Sequence, residues 1–249
     1  MNWQTLSAAL PHTFLFVGLP YAAILIFLIG TIRRYRSRPF GVSSVSSQFL
    51  ETRSLFWAVL PFHVGILVVF FGHLSAWLLP GTTLLWNSHP VRLIVLEVSA
   101  FTFGLCVFVG LIGLLVLRLT NRRVRMVTSR MDVVLELLLL AQATLGLWTA
   151  YGYRWGSSWF AADLSPYLTS LVKLDPNITA ISAMPTVIQL HITGAWLILA
   201  IFPFTRLMHL LVAPLHYLTR PYQRVIWNWD RRTIRNPATP WSKARPRNN

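Results

Sequence analysis

The sequence has few charged residues and very few acidic ones. Of its 249 residues, 12% are charged and 55% are hydrophobic, whereas a soluble domain has about 25% charged residues. This composition excludes an ordinary water-soluble globule. It also excludes intrinsic disorder, which requires low hydrophobicity. The class that remains is an integral membrane protein, in which each helical span needs about 20 apolar residues.

Cysteine is nearly absent, since Cys106 is the only one. A single thiol cannot form an intramolecular disulfide, a CxxC zinc site or a cysteine-ligated iron–sulfur cluster. Because Cys106 lies in an apolar run, we expect it to be a small packing residue. Strand-like alternation is absent as well, which argues against a transmembrane β-barrel.

Five apolar segments are long enough to cross a bilayer. They cover about residues 14–32, 56–79, 93–117, 131–151 and 186–212. Backbone groups in lipid must hydrogen-bond within their own segment, so these spans are predicted to be helices. The predicted fold is therefore all-α: an integral membrane five-helix bundle over residues 1–224, followed by a basic tail over 225–249.

The basic residues predict the orientation of the bundle. The chain has 22 Lys and Arg against 7 Asp and Glu, for a net charge of +15. If the spans alternate in direction, 19 of the 22 basic residues lie on one side, and the positive-inside rule makes that side cytoplasmic. The prediction is an outside N-terminus and a cytoplasmic C-terminus. Topology thus accounts for the charge without a nucleic-acid partner.

Four of the seven histidines lie inside predicted spans. His63 and His73 are on the second span, and His191 and His209 are on the fifth. Ionisable side chains in lipid are costly and commonly functional. Because the two spans run in opposite directions, His63 is expected at the depth of His209 and His73 at that of His191. Two facing imidazoles suit bis-histidine haem iron, whereas zinc needs three or four protein ligands.

The spacing of these histidines does not fit two straight parallel helices. His63 and His73 are ten residues apart and His191 and His209 eighteen, which correspond to about 15 Å and about 27 Å of helical rise. We expect helix tilt, inclined haem planes or a kink at Pro203 to absorb the difference. Two haems with both axial positions filled favour electron transfer over oxygen chemistry.

Several stretches together carry a resemblance to a known family. They are PYAAILIFLIG, RRYR, SSQFLETRSLFWAVLPFHVGIL, VFFGHL, RVRMVTSRMD and QLHITGAWLILAIFPFTRLMHLLVAPLHYLTRPYQ. Through them the chain resembles the gamma subunit of respiratory nitrate reductase, a five-helix di-haem cytochrome b. The resemblance covers most of residues 14–224, while the 152–185 loop and the tail match poorly. It implies two haem b groups, one held by His63 and His209 on the inner side and one by His73 and His191 on the outer side.

The resemblance also implies an activity and partners. Quinol from the membrane pool is oxidised beside the outer haem, near a basic residue at the start of the third span, where this chain has Arg92. Electrons then cross both haems to an iron–sulfur (beta) subunit, and a molybdenum-containing (alpha) subunit reduces nitrate. The chain is thus expected to bind haem and quinol and to have no catalytic residue for nitrate itself.

Two alternatives remain open from the sequence. The same di-haem electron carrier could serve another partner, such as a nitrite oxidoreductase or a sulfur-compound oxidoreductase. A non-redox membrane protein, such as a transporter or an assembly factor, would use its histidines only for packing.

Other residues of the spans each have two interpretations. Glu97 either accepts a quinol proton or pairs with Arg92 or a loop group. Asp132 is expected to bind a helix start or a loop arginine, and Arg206 either binds a haem propionate or anchors the chain at the cytoplasmic surface. Glycines within the spans admit either a porphyrin or a neighbouring helix; they are Gly65, Gly72, Gly104 and Gly194.

Overall fold

The structure is a computed structural model that describes residues 11–37, 52–212 and 219. The chain divides into two compact units, Met1–Ala213 and Pro214–Asn249. The second unit lies outside the described residues apart from Thr219. The predicted boundary between bundle and tail, at residues 224 and 225, falls among the residues that are not described and stays a prediction.

Five helices in the described part of the chain are long and apolar enough to cross a membrane. They are Pro11–Ser37, Phe56–Leu78, Pro90–Thr120, Arg130–Gly152 and Thr186–Phe204, and they are numbered here as the first to fifth spans. Each contains the core of a predicted segment, so the prediction of five helical spans is confirmed. Many of their large apolar side chains are exposed, which fits surfaces that face lipid. The side of the membrane on which each end lies stays a prediction.

The main helix–helix contacts arrange the spans in the order second, third, fourth, fifth, first. The second and third spans share the most extensive contact, and the fifth packs against both the fourth and the first. In the described part of the chain, no contact of similar extent joins the second span to the fifth. The two histidine-bearing helices therefore face each other without packing tightly together.

Small residues bring the second and third spans close together. A methyl group at Gly65 would lie 2.6 Å from the carbonyl oxygen of Phe103, and one at Gly110 would lie 2.7 Å from the backbone nitrogen of Phe62. Only a residue without a side chain permits such backbone approach, which is common where membrane helices pack. Of the two interpretations of Gly65, the structure therefore supports the neighbouring helix.

The fifth span is not one continuous helix to residue 212, as the apolar run predicts. Its α-helix is Thr186–Ile201, followed by a 3-10 turn, Phe202–Phe204, and a second 3-10 segment, Arg206–Val212. Between them Thr205 is extended, with φ −114° and ψ 178°. Pro203 cannot donate the next helical hydrogen bond, and its ring obstructs the preceding turn. The predicted kink is therefore a full break, and His191 and His209 do not lie on one continuous helix.

Arginine side chains gather at one end of the bundle, which we call the arginine end. Arg34 of the first span donates to the carbonyl oxygens of Pro203 and Thr205. Arg118 of the third span pairs with Glu136 of the fourth, and Arg206 pairs with Asp132. The ends of four spans are thus tied together by charge.

The opposite end is covered by residues 153–185, which we call the cap segment; this end is the cap end. The cap segment contains the helices Gly156–Trp159, Ser165–Val172 and Thr179–Ser182 and a π turn at Phe160–Leu164. Its apolar residues form a buried cluster with the first and fifth spans. The sequence has no strong apolar period here and allows a short surface helix; the structure has three short helices, and apolar side chains of this segment pack against the spans.

Candidate functional site

Two of the four span histidines meet at the arginine end. The ring centres of His63 and His209 are 6.2 Å apart, and their planes are inclined by 60°. Two imidazoles on opposite sides of one metal atom, each about 2.0–2.1 Å from it, have ring centres about 6 Å apart. The break in the fifth span makes the approach of the two rings possible, because the 3-10 segment can take a different direction from the α-helix before it. His63 and His209, which the sequence predicts to lie at the same depth, are therefore close together in the structure.

The other two histidines lie nearer the cap end. The ring of His191 lies against the fourth span, where a methyl group at Gly146 would be 2.9 Å from its Cε1 atom. The ring of His73 is met edge-on by Phe160 of the cap segment, with ring centres 5.3 Å apart. His191 therefore contacts the fourth span and His73 the cap segment, while His73 itself stays exposed.

The hydrogen bonds of the imidazoles determine which nitrogen is free. The Nδ1 atoms of His63 and His73 each lie 2.8 Å from a backbone carbonyl one turn earlier, and that of His209 lies 2.6 Å from the carbonyl of Arg206. A carbonyl can only accept, so Nδ1 carries the proton and the Nε2 lone pair is left for another partner. Metal-binding histidines commonly have this arrangement.

His191 differs from the other three histidines. Its Nδ1 is buried and has no hydrogen-bond partner among the described residues. A buried polar atom without a partner is unusual and calls for an explanation. The backbone carbonyl of His191 accepts a hydrogen bond of 2.9 Å from Nε2 of Gln142 on the fourth span. Sequence reasoning missed Gln142 and Gly146, although a polar amide in an apolar span was a signal available for Gln142.

The described residues contain no group of three or more His, Cys, Asp or Glu that could hold a metal ion. A metal at either histidine pair therefore needs most of its ligands from a prosthetic group. This donor set agrees with an iron porphyrin and not with protein-bound zinc, which takes three or four side chains.

Arg92 lies at the exposed start of the third span, as predicted, and stacks on an aromatic ring. Its guanidinium carbon is 5.5 Å from the ring centre of Trp86, whose Nε1 donates to the Arg92 carbonyl. A cavity of about 300 Å³ opens elsewhere at the cap end, beside Trp159 and Ile188. It is lined by Arg154 and not by Arg92, so the cap end offers two basic positions where a polar head group could bind.

The acidic residues of the spans have structural partners. Both backbone N and Oγ of Ser157 donate to Glu97, at 2.8 and 2.6 Å, so Glu97 pairs with a loop group. Asp132 forms a capping box with Ser129, as expected for a residue at a helix start, and it also binds Arg206 of the 3-10 segment in place of a loop arginine. Arg206 bonds to Asp132 and to the carbonyl of Val127, and its two roles considered from sequence stay predictions.

The other three predicted glycines, Gly72, Gly104 and Gly194, have different surroundings. Gly104 lies against Leu147 of the fourth span, and Gly194 lies against Gln142. Nothing lies within 4 Å of the position that a methyl group at Gly72 would take. Gly72, next to His73, is thus the one of the four predicted glycines whose surface stays open to a bulky group.

Comparison with known proteins identifies the family. The nitrate reductase gamma subunit family matches residues 12–228. The chain belongs to this family. It is 34% identical to the respiratory nitrate reductase 2 gamma chain of Escherichia coli over 83% of its length and 92% of that relative. It is 31% identical to the E. coli respiratory nitrate reductase 1 gamma chain, covering 86% of this chain and 96% of the relative.

A gamma chain from another organism is also similar to this chain. The nitrate reductase gamma chain of Bacillus subtilis is 29% identical and covers 82% of this chain and 93% of the relative. As a nitrate reductase gamma subunit with five apolar helices, the chain is a multi-pass membrane subunit of an oxidoreductase in a prokaryotic cell membrane. This assignment excludes the non-redox transporter and assembly-factor alternatives.

Proposed function

We propose that the chain binds two b-type haems and carries electrons from membrane quinol to the other subunits of a nitrate reductase. The observation that carries this proposal is the arrangement of four histidines on two facing helices. His63 and His209 have ring centres 6.2 Å apart, and His73 and His191 are the other two, nearer the cap end. When bound, the haems would supply two one-electron carriers at two depths of the bundle.

The residues of the chain would hold and orient these groups. His63 and His209 would provide the axial ligands at the arginine end, and His73 and His191 those nearer the cap end. Hydrogen bonds from Nδ1 to the backbone fix the rings of His63, His73 and His209. They also make the Nε2 lone pairs of these rings more basic ligands for a metal. With both axial positions filled by imidazole, no site is left for oxygen, which suits electron transfer.

Quinol oxidation is assigned to the cap end. A basic side chain there would orient the quinol head group by hydrogen bonding. The neighbouring aromatic residue would cover its ring: Trp86 beside Arg92, or Trp159 beside Arg154. Phe160 of the cap segment would lie beside this site, since its ring is edge-on to that of His73. With the predicted orientation, protons leave on the outer side, while an iron–sulfur beta subunit and a molybdenum-containing alpha subunit accept electrons at the cytoplasmic face.

The test of haem binding compares histidine variants by optical spectra and haem content of the purified complex. His63→Ala and His209→Ala should each remove one haem and keep the other, and His73→Ala and His191→Ala should remove the second. His89→Ala is the matched control, because His89 is exposed and lies outside the spans. Both haems surviving in any of the four ligand variants would refute the pairing.

The test of the quinol site compares two basic residues with a third. Arg92→Ala should slow quinol oxidation while both haems remain, since the positive charge beside Trp86 is lost. Arg154→Ala tests the cavity that Arg154 lines, and Lys173→Ala is the exposed control at the same end. Loss of quinol oxidation in Arg154→Ala but not in Arg92→Ala would move the proposed quinol contact to the cavity.

A further inference from the structure

We propose that Asp132 is a positioning residue for His209, acting through Arg206. This inference rests on the proposed haem-binding function of His209. It assigns a role in the electron-transfer site to a carboxylate that does not touch the haem ligand itself.

His209 needs an external support that the other three histidines do not. His63, His73 and His191 lie within continuous α-helices, whose backbone fixes their direction. His209 lies in the 3-10 segment Arg206–Val212, beyond the extended residue Thr205. Because the helix is broken before His209, the backbone hydrogen bonds of the fifth span do not fix the position of this imidazole.

Arg206 connects the 3-10 segment to the fourth span. Its backbone carbonyl accepts the hydrogen bond from Nδ1 of His209 at 2.6 Å. Its side chain donates to Oδ1 of Asp132 at 2.8 Å and to the carbonyl of Val127 at 2.7 Å. One residue therefore sets the orientation of the His209 ring and is itself held by Asp132 of the fourth span and by Val127 before that span.

Asp132 supplies the charge that holds Arg206. It is 4% exposed, and its two oxygens serve different partners. Oδ2 accepts from the backbone nitrogen of Ser129 in the capping box, which leaves Oδ1 for Arg206. The carboxylate thus joins the start of the fourth span to the segment that carries His209, and a neutral amide would lack the ionic part of this link.

The neighbouring charges make Asp132 stable in this position. Arg118 lies 3.9 Å from Oδ2 of Asp132 and 2.7 Å from Glu136, which is also 4% exposed. Two arginines thus balance two buried carboxylates, as buried charges require. Removal of the negative charge at Asp132 leaves Arg206 without its ionic partner, so the 3-10 segment loses one of its fixed points.

The experiment uses Asp132→Asn in the full complex, purified from membranes. The readouts are the redox potential and electron paramagnetic resonance signal of each haem, and the rate of haem transfer to apomyoglobin. Loss of a residue that orients a metal ligand typically weakens metal binding about 10–100-fold. We expect haem loss from the His63 and His209 site to accelerate by roughly tenfold or more, with a changed signal for that haem and an unchanged one for the other.

Two control variants separate positioning from general destabilisation. Ser129→Ala removes the capping box but keeps the contact between Asp132 and Arg206. Arg125→Gln removes an exposed arginine at the same end. Neither should alter the signal of either haem. If Ser129→Ala reproduces Asp132→Asn, or if Asp132→Asn affects both haems equally, Asp132 acts only on the bundle and the inference is overturned.

A haem-independent measurement distinguishes this inference from the proposed function. The hydroxyl of Thr31 lies 3.9 Å from the sulfur of Met208, next to His209. In a Cys106→Ser background, a Thr31→Cys/Met208→Cys pair should cross-link readily, and addition of Asp132→Asn should slow that cross-linking. If the unsubstituted complex contains no haem, the proposed function fails whatever the cross-linking shows. If it contains two haems and Asp132→Asn changes neither signal nor cross-linking, the positioning role alone fails.

Discussion

The two histidine pairs are supported in opposite ways. At the cap end, His73 and His191 lie in continuous helices, and Phe160 of the cap segment is edge-on to His73. At the arginine end, the fifth span is broken. Arg34 binds the residues at the break, and Asp132 binds Arg206, the first residue of the 3-10 segment that carries His209. One pair therefore depends on backbone continuity, and the other on charge and on hydrogen bonds between spans. Variants of the two kinds of support should affect different haems.

The largest effect is expected from the removal of Arg34. Its guanidinium donates to the carbonyls of Pro203 and Thr205 at 2.6 and 2.8 Å, and both of these residues are buried. Hydrogen bonds to a charged group contribute about 1.5–3 kcal/mol each. Arg34→Gln should lower the unfolding temperature of the purified complex and release mainly the haem of His63 and His209. Thermal unfolding followed by circular dichroism and by haem absorbance measures both.

Arg36→Gln is the control for this prediction. Arg36 is an exposed arginine two residues further along the same helix, so its loss removes the same charge without freeing the buried carbonyls. Equal destabilisation by the two variants would show that net charge, rather than the bonds to the broken helix, supports the arginine end.

A smaller effect is expected at the cap end from Tyr167→Phe. The hydroxyl of Tyr167 donates to the carbonyl of Phe16 at 2.8 Å, and the residue is 2% exposed. Its loss leaves a buried carbonyl without a partner, at a cost of about 1–3 kcal/mol. Hydrogen exchange of residues 153–185 should increase while the haem of His63 and His209 is unaffected. Increased exchange at the arginine end instead would contradict the separation of the two ends.

The same tyrosine gives a pH prediction. Burial raises the pKa of Tyr167 well above its ordinary value of 10, because the ionised form is penalised in an apolar setting. The group contributes its full stabilisation below pH 10, the pKa of the unfolded chain, and that contribution declines as the pH rises above 10. Ultraviolet titration should show a tyrosine that does not ionise near pH 10 in the folded complex and that is missing in Tyr167→Phe.

The smallest effect is expected from a methyl group added beside His191. A Cβ at Gly146 would lie 2.9 Å from the ring of His191, whereas one at Gly104 would lie 3.1 Å from the flexible end of Leu147. Gly146→Ala should therefore shift the redox potential of the cap-end haem, and Gly104→Ala should leave it unchanged. Redox titration followed by optical absorbance compares them. A shift of similar size in both variants would show that helix spacing, not contact with His191, sets the potential.

Much of the bundle could be predicted because its signals are local in the sequence. Apolar runs define the spans, and the antiparallel alternation of those runs predicts that His63 approaches His209. The break after Ile201 could not be predicted, because Pro203 permits either a kink or a break, and contacts from Arg34, distant in sequence, stabilise the break.

The cap segment was missed for a related reason. Its sequence lacks a regular apolar period, and its burial depends on bonds to distant backbone groups. Ser165 donates to the carbonyl of Ala76, and Tyr167 donates to that of Phe16. Such long-range partners cannot be read from spacing. The same holds for Glu136, whose partner Arg118 lies on the preceding span.

The most direct test of the account is to count and classify the haems of the unsubstituted complex. A pyridine haemochrome assay gives haem b per gamma-type chain, and electron paramagnetic resonance reports the axial ligands. We predict two b-type haems per chain, both low-spin with two histidine ligands. A single haem, or a high-spin signal from either site, would contradict the pairing of His63 with His209 and of His73 with His191.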